Sequence, residues 1–155
     1  MYKFLTLFTF FIFFANVSFA DNMSDAKQFF ENYVTAANSY SQELPNFYSP
    51  TAKIIRQVIK PDGELVDKET DVARYVSEMK KSQAIAKMRK YKNDYSDIKV
   101  SKIDDTTFKV DALRQPTGET YKLKTRMIVQ KQTSGKWLII EEMMQTKVQM
   151  LLHAK

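Results

Sequence analysis

The sequence predicts an α+β domain with a curved, mostly antiparallel sheet packed on two helices from the N-terminal half. Three observations carry this. Tyr121 to Gln149 reads as two long strands joined by a tight turn at Thr133-Ser134-Gly135. Two earlier stretches place apolar residues at spacings of three and four, the helical period. Most of the β-like runs follow the second of these stretches, and helices early with strands late mark α+β rather than alternating α/β.

Within the hairpin, Tyr121, Leu123, Thr125, Met127 and Val129 alternate with Lys122, Lys124, Arg126, Ile128 and Gln130. Alternation puts the first set on one sheet face. Gly135 supplies the positive φ of a short hairpin loop. Trp137 to Ile140 is a continuous apolar run, predicting a strand covered on both sides or lying where the sheet coils. Its burial is expected in the first half, before the mixed stretch at Glu141 and Glu142.

The chain of 155 residues is one domain's worth once its start is set aside. Met1 to Ala20 carries Lys3, the apolar run FLTLFTFFIFFA, and small residues at Ser18 and Ala20. This is the pattern of a secretory signal peptide cleaved after Ala20. It predicts export to a periplasm or the extracellular space and a single domain over 21–155. The competing reading is an uncleaved membrane anchor. Losing Lys3 leaves 23 basic against 18 acidic residues, a net charge of +5. That charge is too modest for a nucleic-acid footprint, and nucleic acid is excluded as a partner. The chain has no cysteine, which removes disulfides, thiolate catalysis and most zinc sites.

In chain order, Ser24 to Glu43 is predicted helical, with Ala26, Phe29, Phe30, Tyr33, Ala37, Tyr40 and Leu44 as its apolar stripe, Ser24 as cap and Pro45 as terminator. LPNFYSPTA is a short turn or a single helical turn, with Phe47 and Tyr48 as core. Lys53 to Lys60 is a β-branched strand, Pro61-Asp62-Gly63 a turn, and Glu64 to Asp67 a short partner strand. Lys68 to Met88 is the second helix, capped by Thr70, with Val72, Val76 and Met79 inward. Ser96 to Lys102, Thr106 to Gln115 and the hairpin complete a four-strand meander.

The stretches YVTAANSYSQELPNFYSPTAKII and GKWLIIEEMM resemble the helix-to-first-strand region and the terminal strand of the nuclear transport factor 2-like superfamily, also described as cystatin-like. The resemblance implies a cone with a hollow between sheet and helices. That superfamily includes ketosteroid isomerase, polyketide cyclases, scytalone dehydratase, transport adaptors and periplasmic domains of secretion-system subunits, so the fold does not choose a function.

The cavity candidates are Tyr33, Tyr40, Phe108, Arg114, Met127, Trp137 and Glu142. An isomerase-like site needs a carboxylate and acidic hydrogen-bond donors, and Asp111, Glu141 and Glu142 are the strand carboxylates considered. Asp111 is expected on the solvent side. Tyr33 is expected inward, as a core residue with its hydroxyl at the cavity rim. Arg114 shares parity with Phe108, Val110 and Ala112, and an ion pair with Glu141 or Glu142 is expected. Related enzymes often carry a histidine just beyond the Gly-x-Trp position. Glu141, Glu142 and Met143 stand there instead, and the single histidine, His153, is in the tail. No metal-ligand spacing is present and no cofactor is implied. Lys80, Lys81, Lys87, Arg89, Lys90 and Lys92 cluster around Met79, Met88, Tyr91 and Tyr95. They form either a solvated helix end or a surface for anionic lipid or an acidic partner. Met143, Met144, Met150, Leu151 and Leu152 close the core or form a homodimer surface.

The resulting expectation is a non-catalytic exported binding module for a small apolar molecule or a protein. The alternatives are a cofactor-free isomerase, dehydratase or hydrolase using Tyr33 with a carboxylate, and a subunit of an envelope secretion assembly. The catalytic alternative requires an inward acid near a tyrosine and fails if every such acid is tied to arginine or lysine.

Overall fold

The computed structural model describes the backbone of residues 15–153 and the side chains of residues 21–153. The expected signal segment therefore lies mostly outside the described residues. Two helices, α1 (Ala15–Asn38) and α2 (Val72–Met88), pack on one face of a six-stranded sheet. The strands are β1 (Tyr48–Ile59), β2 (Leu65–Asp71), β3 (Asn93–Lys102), β4 (Thr107–Pro116), β5 (Leu123–Lys131) and β6 (Trp137–Thr146), in the order β2-β1-β6-β5-β4-β3. All neighbours are antiparallel except β1 and β6, which run parallel. The predicted hairpin β5–β6 is thus the middle of the sheet. Among the described residues, no helix is long and apolar enough to cross a membrane.

Both helices depart from their predicted limits for local reasons. Ser24 lies inside α1 and caps nothing, because the helix already runs through the described residues from Ala15 onward. Pro45 is not the terminator either. The helix stops at Asn38 in a Schellman turn, where Ser41 N–H donates to the Ala36 carbonyl at 2.9 Å and Tyr40 N–H to that of Ala37 at 3.2 Å. Tyr40 takes the left-handed position at φ 58°, which glycine usually fills. Pro45 instead opens the separate 3-10 turn Leu44–Phe47. At α2 the cap is Asp71, whose carboxylate accepts from Arg74 N–H at 2.8 Å, rather than Thr70. Lys68 to Thr70 belong to β2 and pair with Arg56 to Ile54 of β1.

The inner sheet face follows the alternation on β4 and β5. Phe108, Val110, Ala112 and Arg114 pair with Val129, Met127, Thr125 and Leu123, and all eight are buried. On β6 the alternation is broken. Val129 pairs with Ile139 and Ile128 with Glu141, so Ile140 is an extra residue in a bulge. Side-chain parity flips there, and Ile139 and Glu142 both come to the inner face. The apolar run Trp137–Ile140 is therefore explained by a bulge rather than by cover on both sides. The expected burial in the first half of β6 is also overturned: Glu142, Met143 and Gln145 in the second half are buried, against Ile139 alone in the first.

Phe30 and Tyr33 of α1 press onto this face with Tyr48, Ile54, Phe108, Met127, Val129 and Ile139 as one continuous core. Asn38 ties the helix end to β3: its amide donates to the Asn93 carbonyl and accepts from Asn93 N–H, both at 2.9 Å.

Candidate functional site

The inner face carries one fully buried carboxylate, Glu142, at 0 % exposure. Its register partners are Met127 on β5 and Ile54 on β1, both fully buried. A charge in such surroundings requires compensation. Arg56, one alternation beyond Ile54 on the same face of β1, donates to Oε1 at 2.8 Å. The Tyr48 hydroxyl donates to Oε2 at 2.5 Å, and that of Tyr33 donates to Oε2 at 3.1 Å. The Tyr33 and Tyr48 hydroxyls also lie 3.1 Å apart. Over the outer side of Arg56 stands Tyr75 of α2, with the guanidinium carbon 4.6 Å from its ring centre. Tyr75 in turn packs edge-on against Tyr48 at 5.5 Å.

These neighbours fix the proton positions. Burial first, and the Glu142 carboxylate second, push the Tyr33 and Tyr48 hydroxyls well above the usual phenol range. Tyr75 is raised for the same two reasons. Burial alone works against the Arg56 cation, but Tyr75, Glu142 and Tyr48 outweigh it and hold the guanidinium protonated more firmly than usual. Tyr33 and Tyr48 are therefore neutral donors aimed at a carboxylate that a cation already balances. Chemically this is a polar knot in which both carboxylate oxygens are engaged, Oε1 by Arg56 and Oε2 by two tyrosine hydroxyls.

The predicted cavity residues divide. Tyr33, Met127 and Glu142 come together in this knot, and the Tyr33 hydroxyl lies in the buried interior rather than at a rim. Phe108 is further along the core, its ring 5.7 Å from that of Trp137. Tyr40 lies beyond the helix, its hydroxyl buried without a hydrogen-bond partner. Arg114 is buried at the other end of β4 and makes no ion pair with Glu141 or Glu142. Its guanidinium donates to the Asn93 side chain and to the Gln145 carbonyl, both at 2.8 Å, joining β3 to β6. Glu141 and Glu142 have other arginines, Arg126 and Arg56. Asp111 faces outward, 3.1 Å from Lys109.

Arg56, Tyr48 and Tyr75 were missed as members of this cluster. Arg56 had a signal: in KIIRQVIK it shares parity with Ile54 and Val58. Tyr75 had none beyond being an aromatic residue on a helix.

Of two open cavities, the first is lined by no residue of the knot and the second touches it. A cavity of about 540 Å³ sits between α1, the Leu44–Phe47 turn and the β5–β6 turn. Phe29, Phe47 and Trp137 supply apolar walls, and Asp25, Gln28, Asn32, Glu43, Asn46, Lys131 and Lys136 the polar rim. A second cavity, about 450 Å³, opens between β2 and α2, with Arg56 and Tyr75 in its wall. The expected hollow over the inner face is largely filled by the aromatic core.

No protein-family model and no curated protein sequence matches the chain. Solved structures do. A putative scytalone dehydratase from Novosphingobium aromaticivorans is 13% identical with a TM-score of 0.62, covering 83% of this chain and 86% of that one. A domain of unknown function with a cystatin-like fold from Nostoc punctiforme is 15% identical with a TM-score of 0.60, covering 86% and 82%. An NTF-2 like protein of unknown function from Shewanella oneidensis is 13% identical with a TM-score of 0.60, covering 79% and 98%. The chain has the nuclear transport factor 2-like fold. At such identities the likeness concerns this fold alone, and the cone's contents are this chain's own.

Proposed function

We propose that this nuclear transport factor 2-like domain is an exported, non-catalytic binding module that holds a small, largely apolar molecule. One observation supports it above the others: the inner-face carboxylate is tied to Arg56 and to two tyrosine hydroxyls, while a separate cavity with apolar walls stays open between α1 and the β5–β6 turn. The catalytic alternative required a free acid near a tyrosine. Glu142 is near two, but the arginine removes it as a base.

The cavity lined by Phe29, Phe47 and Trp137 is the proposed seat. Its volume, about 540 Å³, lies inside the range of roughly 300–1,000 Å³ typical of small-molecule sites. Its apolar walls and mixed-charge rim suit an amphipathic guest. Export rests on the Met1–Ala20 pattern and predicts a mature N-terminus at Asp21, read by N-terminal sequencing.

Trp137 is the only tryptophan, so its fluorescence reports on the seat directly. Native mass spectrometry of protein from its own host should show a retained molecule whose removal shifts that emission. Asn32→Trp, which fills the cavity from its rim, should abolish retention, whereas Tyr33→Phe should leave it intact. Retention that survives Asn32→Trp, or turnover that disappears with Tyr33→Phe, would reject the reading.

A further inference from the structure

The outward face of α2 is built unlike that of an ordinary surface helix. Successive residues turn about 100° around a helix. Val72, Val76 and Met79 therefore share the side that packs on the core, and Lys81, Ile85 and Met88 share the side opposite. Polar residues are the rule on that opposite side. Here Ile85 is 51% and Met88 76% exposed. Tyr91, just past the helix end, is also exposed.

Around these three side chains stand Lys80, Lys81, Lys87, Arg89, Lys90 and Lys92, all exposed. Among the described residues none of the six makes an ion pair. The helix dipole accounts for cations in the last turn, such as Lys87. It does not account for Lys80 and Lys81, two turns earlier, nor for apolar side chains standing in water between them. Asp94 follows the cluster on β3. Glu119 lies in the β4–β5 turn, which Thr117 joins to Lys92 by backbone and hydroxyl bonds. Glu78, one turn before Lys81 on α2, is already paired with Arg74, so these three carboxylates leave the cluster cationic.

We infer that this end of α2 is a peripheral docking surface for an anionic lipid bilayer. The cations meet the headgroups, and Ile85 and Met88 enter the interfacial layer, while the Tyr91 hydroxyl is held back by Asn93 and Arg114. Cations at headgroup level beneath projecting apolar side chains are the chemistry of interfacial binding. An acidic protein would satisfy the lysines but gives no reason for Ile85 and Met88 to project beside them. This surface is separate from the proposed ligand seat, which lies between α1 and the β5–β6 turn.

The chain has no cysteine, so Met88→Cys carrying an environment-sensitive dye reads this one position. Mixed with phosphatidylcholine vesicles containing phosphatidylglycerol, the full protein should show a blue-shifted, brightened emission that fades as salt is added. Pure phosphatidylcholine vesicles should leave it unchanged. Lys81→Glu with Lys87→Glu in the labelled protein should abolish the shift. In the unlabelled protein, Lys81→Ala alone should weaken vesicle affinity about fivefold, and Ile85→Ser should weaken it without changing the salt dependence. These positions are exposed, and an unchanged urea midpoint confirms that each variant folds. The inference is overturned by an unresponsive dye at Met88, by an equal response to neutral vesicles, or by a response that survives both charge reversals. Capture of an acidic protein without any vesicle response overturns it as well.

Discussion

Glu141 and Glu142 are neighbours on β6, and each is paired with one arginine. Glu141 lies on the outer face 3.0 Å from Arg126, with its side chain 28% exposed. Glu142 lies on the inner face 2.8 Å from Arg56, at 0 %. The chemistry is nearly the same and the surroundings are not. Water screens the outer pair and solvates either partner if the other is lost. Glu142 is held by protein groups alone, while Arg56 keeps 19% of its side chain exposed, so the buried carboxylate needs its partners to be tolerable. A buried ion pair is thus a constraint on how the core assembles more than a source of stability.

The comparison is broken most forcefully by removing the inner carboxylate. Glu142→Ala leaves Arg56 without its counter-charge and strips two tyrosine hydroxyls of their acceptor. A loss of about 3 kcal/mol or more is expected in urea unfolding, and a loss below about 1 kcal/mol would show that water reaches Arg56 freely.

Alkaline pH should separate the two pairs next. Tyr33, Tyr48 and Tyr75 are raised in the folded protein, while in the unfolded chain they ionise near pH 10. Below about pH 10 both states hold these protons and the tyrosines' contribution is fully present. Above it the unfolded chain releases them first, and stability falls by about 1.4 kcal/mol per pH unit for each such tyrosine until its folded value is reached. Tyr33→Phe should make that fall shallower by one tyrosine's share, as followed by urea midpoints across the alkaline range.

At neutral pH, Tyr33→Phe removes one of two hydroxyls from Oε2 and should cost about 1–2 kcal/mol in urea unfolding. The smallest effect belongs to the outer pair: Glu141→Ala should change stability by about 1 kcal/mol at most, and added salt should erase much of it. An effect as large as that of Glu142→Ala would mean that exposure is not what separates the neighbours.

Much of this was legible from local pattern. The alternation of Leu123, Thr125, Met127 and Val129 placed β5, and its parity with Phe108 and Val110 placed β4. Gly135, at φ 83°, marked the turn between β5 and β6. The candidate site was legible only in part. Tyr33 and Glu142 were named, yet Arg114 was assigned to the carboxylate that Arg56 holds. Strand parity says that both arginines face inward; it does not say which end of the inner face each one reaches.

The sequence by itself therefore determined the fold class, the middle of the sheet and the inward sides of α1, β4 and β5, because periodicity is a property of the chain alone. The tertiary structure decided what stands around Glu142. The bulge at Ile140 reverses the parity of β6, since an extra residue must be absorbed where β6 pairs with β5 while it runs parallel to β1. That reversal turns Glu142 rather than Glu141 into the core. Arg56, Tyr48 and Tyr75 meet it there from segments far apart in the chain, and no local spacing brings them together.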